Sequence, residues 1–245
     1  MVSDVATVIW KEWKELIARS SRSRGETVKT IAVAAVILGI IVWRATFFVN
    51  NLGSLLVPSF VLVQLLSGLM ADSFAGERER HTLETLLASR LSDLAILIGK
   101  MVAGVLLVWG LMLFTMGLGT LSAYLRSNGE RLPISAGGVG AVLVIYLLVC
   151  CVVSCAAVLV SLRASTVRQA MQTLTWSFMI VFFAGIFTIA RLSVSPQWRV
   201  TLLRTLAGEH MLRTEIIAGT ILAGLALLLF GAARLRFQRA RLILD

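Results

Sequence analysis

The chain has 245 residues, 58% hydrophobic and 15% charged, against roughly 45–50% and about 25% in a soluble domain. Several apolar runs reach the ~18 residues that cross a hydrocarbon layer of about 30 Å, which excludes an ordinary water-soluble globule. The net charge of +10 comes without a basic surface interleaved with aromatics, so no nucleic-acid partner is expected, and the excess fits the basic inner loops of a membrane protein.

In chain order, the first element is amphipathic. Val2, Val5, Ala6, Ile9, Trp10, Trp13, Leu16 and Ile17 recur at three- and four-residue steps, with Asp4, Lys11, Glu12, Lys14, Glu15 and Arg19 between them. This predicts a helix within residues 1–27 lying in the membrane interface, with Trp10 and Trp13 at the headgroup boundary; packing on a soluble neighbour is the alternative. The opening lacks the basic, apolar and small-residue pattern of a secretory signal, so the mature chain is expected to start at Met1.

Six apolar segments follow: Val28 to Val49, Leu52 to Ala71, Leu97 to Leu125, Gly137 to Leu162, Met171 to Ala190, and Ile216 to Ala233. Strands in lipid would show alternating runs of about ten residues, so these are predicted to be transmembrane helices. The expected fold is an all-α integral membrane protein, with 1–245 a single transmembrane domain. With the N-terminus inside, sixteen of the 23 basic residues fall on the inner side, including Lys11, Lys14, Arg78, Arg80, Lys100, Arg163, Arg168, Arg234 and Arg236. The outer side holds Arg44, Arg126, Arg131, Arg191, Arg199, Arg204 and Arg213. Both termini are therefore expected in the cytoplasm of a multi-pass protein of the plasma or inner membrane.

The inner loop after the second span, placed at 72–96, reads D-S-F-A-G-E-R-E-R-H-T-L-E-T-L-L-A-S-R-L-S-D-L-A-I. Charges crowd its first half, and Leu83, Leu86, Leu87 and Leu91 then form a stripe at helical spacing. A short amphipathic helix is predicted on the cytoplasmic side. Its apolar face could cover the inner ends of the protein's own spans, or it could present a ridge to a soluble partner, with the charges setting register. The outer loop, 191–215, contains Pro196, Trp198, Val200, Leu202, Leu203 and Leu206, and short re-entrant outer helices are expected there.

Catalytic chemistry is not legible. The nearest approach to a phosphate-binding loop is Gly99-Lys100-Met101, with Leu94 where the first glycine should stand and methionine in place of the hydroxyl. No charged residue is expected near mid-membrane, which disfavours an intramembrane titrating group as the energy source. His81 and His210 fall on opposite sides of the membrane, so no catalytic set is predicted. Cys151 and Cys155 share a helix face, but without His or Met nearby they read as a helix contact rather than a metal site, as do Gly219, Ala223 and Ala226. Mid-span polar residues include Thr115, Ser154 and Thr175; Gln64, Ser67, Thr173 and Ser177 are candidates for lining a pathway.

The order of amphipathic helix, six spans and a loop reading F-A-G-E-R-E-R-H-T-L-E-T-L-L-A-S-R-L-S, then Gly99-Lys100 entering the third span, resembles the permease subunit of ABC-2 type exporters. Glu77, Arg78, Glu79, Thr82, Leu83 and Glu84 match that family's E-R-E-x-G-T-L-E pattern; His81 replaces the usual glycine, and Arg90 stands where proline commonly follows Ala-Ser. The resemblance implies a dimer of permease chains in the bilayer and a separate ABC ATPase subunit that carries ATP and Mg, with no cofactor in this chain. It further implies that the first inner loop is the coupling helix, with Glu77, Arg78, Glu79, Arg80, Thr82, Leu83, Glu84, Leu86 and Leu87 touching the ATPase. A membrane scaffold or assembly factor that recruits a soluble enzyme is the alternative reading, and an ion-coupled carrier a third. The substrate is not legible; spans without buried charge lean toward amphipathic cargo.

Overall fold

A computed structural model of the protein describes residues 2–22, 53–80, 91–126, 136–194 and 211–237. They form six α-helices and, among the described residues, no strand. These are α1 (Val2–Arg22), α2 (Gly53–Glu79), α3 (Asp93–Arg126), α4 (Ala136–Ser161), α5 (Val167–Val194) and α6 (Met211–Arg236). All but α1 are long and apolar enough to cross a membrane, five candidate spans in all. The predicted first span, Val28 to Val49, lies outside the described residues.

The helix boundaries differ from expectation in one place that matters. Apolar composition runs out near Ala71, but α2 continues through Glu79, because backbone hydrogen bonding needs no apolar side chains once a helix is nucleated and packed. Of the predicted loop at 72–96, residues 72–79 are therefore helical and residues 81–90 lie outside the described residues, and α3 starts at Asp93, earlier than Leu97. Ser92 caps it, its Oγ accepting from the Ala95 amide at 3.3 Å. The leucine stripe from Leu83 to Leu87 lies outside the described residues, as does the centre of the outer loop at 195–210.

Successive helices alternate in direction, which gathers the end of α2, the start of α3, the end of α4, the start of α5 and the end of α6 at one end of the bundle. Arg78 meets Leu162 there, and Phe74 meets Phe237 edge-on with ring centroids 5.8 Å apart. α4 is the central staff, packing on α2, α3, α5 and α6. Apolar helices gain little from associating in lipid, so close packing and polar contacts must hold them together. Leu66, Met70, Phe74, Ile96, Leu97, Val108, Met112, Val158 and Leu174 form the buried core. Ser154 Oγ donates to Met70 Sδ at 3.3 Å, and the Trp109 indole donates to the Leu143 carbonyl at 3.2 Å. Cys155 points its Sγ at the Ala226 carbonyl, 3.8 Å away, so this thiol does sit at a helix contact.

Burial is uneven. About half of the α2 and α3 spans is buried, but only 11% of the α5 and α6 spans. Trp176, Ile180, Phe183, Phe187, Ile221, Leu227 and Leu228 stand exposed on that side, a surface that lipid solvates and water would not.

The amphipathic helix α1 packs on α3, and its faces divide differently from the sequence reading. Val8 is buried and Trp10 is exposed, while Glu12, counted on the polar side, faces inward. The approach is close because Gly99 has no side chain: a Cβ there would stand 2.6 Å from the Val8 Cβ and 3.3 Å from the Val5 carbonyl. Replacing Gly99 with alanine is expected to push α1 off α3 at a cost of about 1–3 kcal/mol. Gly110→Ala, in open space on the same helix, is expected to be neutral or stabilising by up to about 1 kcal/mol. Thermal unfolding of both variants in the same detergent checks the pair.

Candidate functional site

The chemistry of the molecule concentrates where α1, α2 and α3 meet. Lys100, two turns into α3, is 1% exposed, and a buried ammonium must be paired to stay charged. Its Nζ lies 2.8 Å from Glu12 Oε1 of α1 and 2.9 Å from Glu77 Oε1 of α2. It also donates toward the Ser73 carbonyl at 3.0 Å and Ser73 Oγ at 3.1 Å. Ser73 Oγ in turn donates to Glu12 Oε2 at 3.1 Å, and the Phe74 ring lies under the ammonium, 5.5 Å from Nζ to centroid.

Lys11 extends this network at its rim, 3.6 Å from Glu77 and 3.4 Å from Glu15. Burial pulls the pKa of its ammonium down, but Glu77, Glu15 and Glu12, in that order, more than offset this, and it stands above its ordinary 10.5. With the folded-state value raised, the stabilisation is complete below the unfolded value and is lost only as pH climbs through the raised one. The Lys11 contribution is thus constant across the neutral range. Two residues along α1, the half-exposed Trp13 donates its indole N–H to the Ala103 carbonyl at 3.2 Å. Trp10, its partner in the sequence reading, points away from the bundle and is 69% exposed.

The next two residues of α2 reach the other way. Arg78 donates Nη1 to the Leu162 carbonyl at 3.1 Å and Nη2 to the Ala164 carbonyl, closing the C-terminal end of α4. Glu79 Oε2 accepts from the Val167 amide at 3.2 Å, at the N-terminus of α5. Each charge suits the dipole of the helix end it meets. Thr166 and Gln169 complete the start of α5 in a capping-box arrangement, Thr166 Oγ1 accepting from the Gln169 amide at 3.2 Å and Gln169 Oε1 from Ser165. Arg80, exposed, pairs back to Asp72 at 3.0 Å.

Of the residues assigned to the ATPase contact, Glu77, Arg78, Glu79 and Arg80 are thus engaged within the chain. Thr82, Leu83, Glu84, Leu86 and Leu87 lie outside the described residues. The candidate pathway residues do not share one environment. Ser67 is buried with its hydroxyl on the Val63 carbonyl, while Thr173 and Ser177 lie exposed on α5, bonded to Gln169 and Thr173 carbonyls. Gln64 keeps a buried Oε1 that no described residue meets. Among the described residues no cluster of His, Cys, Asp or Glu could hold a metal ion. The roles of Lys100 and Glu12 were missed in the sequence, as was the turn at 162–166. Gly99-Lys100 was visible as a motif, but its acidic partner on α1 is 88 residues away and no local pattern connects them.

The sequence model of the family described as ABC-2 type transporter matches residues 3–212. The chain belongs to the ABC-2 type transporter family. No curated protein gives a significant match. This ABC-2 transporter is accordingly a multi-pass membrane permease, a transport component that is not itself catalytic, in a family whose members generally pair with an ABC ATPase. Within it, the ion cluster is expected to be a stability element. Lys100→Met leaves two carboxylates facing each other out of water and should cost about 3–5 kcal/mol. Substituting Glu12 and Glu77 with leucine in the same chain should recover most of that loss, as read from thermal unfolding of the purified proteins.

Proposed function

We propose that this ABC-2 transporter is the transmembrane subunit of an ATP-driven exporter. It works as a dimer of permease chains in the plasma or inner membrane, with both termini cytoplasmic. Hydrolysis takes place on a separate ABC ATPase subunit that carries ATP and Mg; the permease does no bond chemistry. The second permease subunit is a copy of the same chain.

The observation that carries this reading is the stem of the loop at 80–92. Adjacent charges at Glu77, Arg78 and Glu79 tie that stem to α1, α3, the end of α4 and the start of α5. A force applied to a loop on a loose stem would bend the stem; on this one it reaches the bundle. Because those side chains are already engaged, we place the ATPase contact on Thr82, Leu83, Glu84, Leu86 and Leu87, with the exposed Arg80, paired to Asp72, at its edge. The leucines would fill an apolar groove of the partner and the flanking charges would set register. α1 lies at the headgroup boundary with Trp10 toward lipid and Trp13 between lipid and α3. The pathway lies along the weakly buried side of the bundle, where Thr173 and Ser177 stand.

The test is co-production with candidate ABC ATPases followed by purification of the complex. The unsubstituted chain is expected to retain its ATPase, and Leu83→Ser, Leu86→Ser and Leu87→Ser combined should reduce retention at least about tenfold with unfolding temperature unchanged. A chain that retains no ATPase overturns the reading. Retention without ATP-driven movement of cargo across reconstituted vesicles would favour the membrane scaffold instead.

A further inference from the structure

We propose that Arg78 and Glu79 are positioning residues that fasten α5 to the first inner loop, so that α5 moves with that loop when the partner pushes on it. The source of the push rests on the function proposed above; the clamp itself does not. Three features of the structure point to it. The pair is bidentate on one side, with Arg78 holding the Leu162 and Ala164 carbonyls, and charge-assisted on the other, with Glu79 on the Val167 amide. It spans the turn between α4 and α5 rather than one helix, so neither helix end can separate from the stem without breaking a charged hydrogen bond.

The helices also approach each other at this level. A Cβ on Gly76 would stand 3.4 Å from Val167 Cγ2, so the gap between the end of α2 and the start of α5 would be filled by a single methyl group. Beyond its first turns α5 is held lightly. Its span is 11% buried, and the hydroxyls of Thr173, Ser177 and Thr188 bond back to carbonyls of α5 itself. Along its length it packs on one face only, through buried Leu174 and through Phe182, whose ring centroid lies 4.4 Å from that of Phe60 on α2, and a helix gripped firmly at one end and held on one face follows the end that grips it. Glu77, one residue earlier, is committed to Lys100 and Lys11. The same stem therefore has two separable outputs, one to α1 and α3 and one to α5.

Amide hydrogen exchange on the full chain in nanodiscs, in complex with its co-purified ATPase and with or without ATP and vanadate, tests the proposal. In the unsubstituted complex, trapping is expected to change exchange both in the stem, residues 72–80, and in α5, residues 167–177. In Arg78→Ala/Glu79→Ala the stem change and ATP hydrolysis should persist while the α5 change falls at least about fivefold. Arg78→Lys/Glu79→Gln, which keeps a donor and an acceptor in place, should restore most of it. An α5 response of native size in the alanine pair overturns the proposal, and so does equal loss in stem and α5, which would mean general loosening. If the alanine pair does not fold, Glu79→Ala alone against Glu79→Gln makes the same comparison. If the unsubstituted chain captures no ATPase, the functional reading fails instead. The clamp is then read on the chain alone: Glu79→Ala should speed exchange over 167–172 several-fold with 216–226 unchanged and Glu79→Gln near native, and equal protection in all three overturns it.

Discussion

The ammonium of Lys100 organises one end of this transporter. A lone charge so deeply buried is costly enough that it is neutralised or paired, and here pairing requires groups from two other helices at once. Glu12 must come from α1 and Glu77 from α2, with Ser73 bridging Glu12 and the ammonium. That requirement fixes the depth and rotation of an amphipathic helix which, held by lipid alone, would be free to slide and roll in the interface. Val8 and Glu12 lie one turn apart on α1 with Trp13 beside Glu12, and each meets α3 differently: Val8 at the missing side chain of Gly99, Glu12 at the ammonium, Trp13 at the Ala103 carbonyl. Apolar contact, ion pair and hydrogen bond act within two turns of α1, and each restricts the geometry the others need.

The same end of the bundle shows how polar contacts substitute for a hydrophobic driving force. Lipid tails are as apolar as the leucines they would replace, so two helix ends in contact need a reason to stay. Helix termini supply one, because their last carbonyls and first amides have no partners inside the helix. Arg78 and Glu79 supply groups of the right sign to the end of α4 and the start of α5. On the exposed side, by contrast, the described hydroxyls of α5 and α6 are satisfied within their own helices, as Thr173, Ser177 and Thr220 are. Such surfaces can shift against a neighbour without breaking an interhelical hydrogen bond. The fixed end and the adaptable side are therefore built from the same residue types, used differently.

How much of this was legible follows from what each signal encodes. Span positions were readable because lipid imposes composition over some twenty residues, and α3 to α6 match their predicted segments to within a few residues. The end of α2 was not, since the charged stretch from Asp72 to Glu79 looks like a loop by composition while its backbone continues helical. The E-R-E motif was visible and led to the family, but the partners of its side chains within the chain were not, because a run of charges says nothing about which groups satisfy it. Glu12 was assigned to the solvent side of α1 by the ordinary rule that carboxylates face water. An acid facing inward is readable only once the buried cation it meets is known, and that cation is far along the chain. Trp10 and Trp13 were treated alike; only the register of α1 on α3 separates one that binds a carbonyl from one that faces outward.

The buried cluster bears on the energy source as well. A charged group at the middle of the bilayer would suggest coupling to protons or cations, but Lys100 pairs with Ser73 and Glu77, at the level of α2 where Asp72 is partly exposed and Glu79 and Arg80 are exposed. Those side chains need water, so the hydrocarbon boundary lies further along the helices than the cluster does. Helix length permits this. At about 1.5 Å per residue, the 34 residues of α3 extend well beyond a layer of about 30 Å, leaving turns to spare at its ends. The ammonium is shielded by protein rather than by lipid, and its carboxylate partners come from the stem that carries the loop and from the helix in the interface. It reads as a structural joint between those two elements.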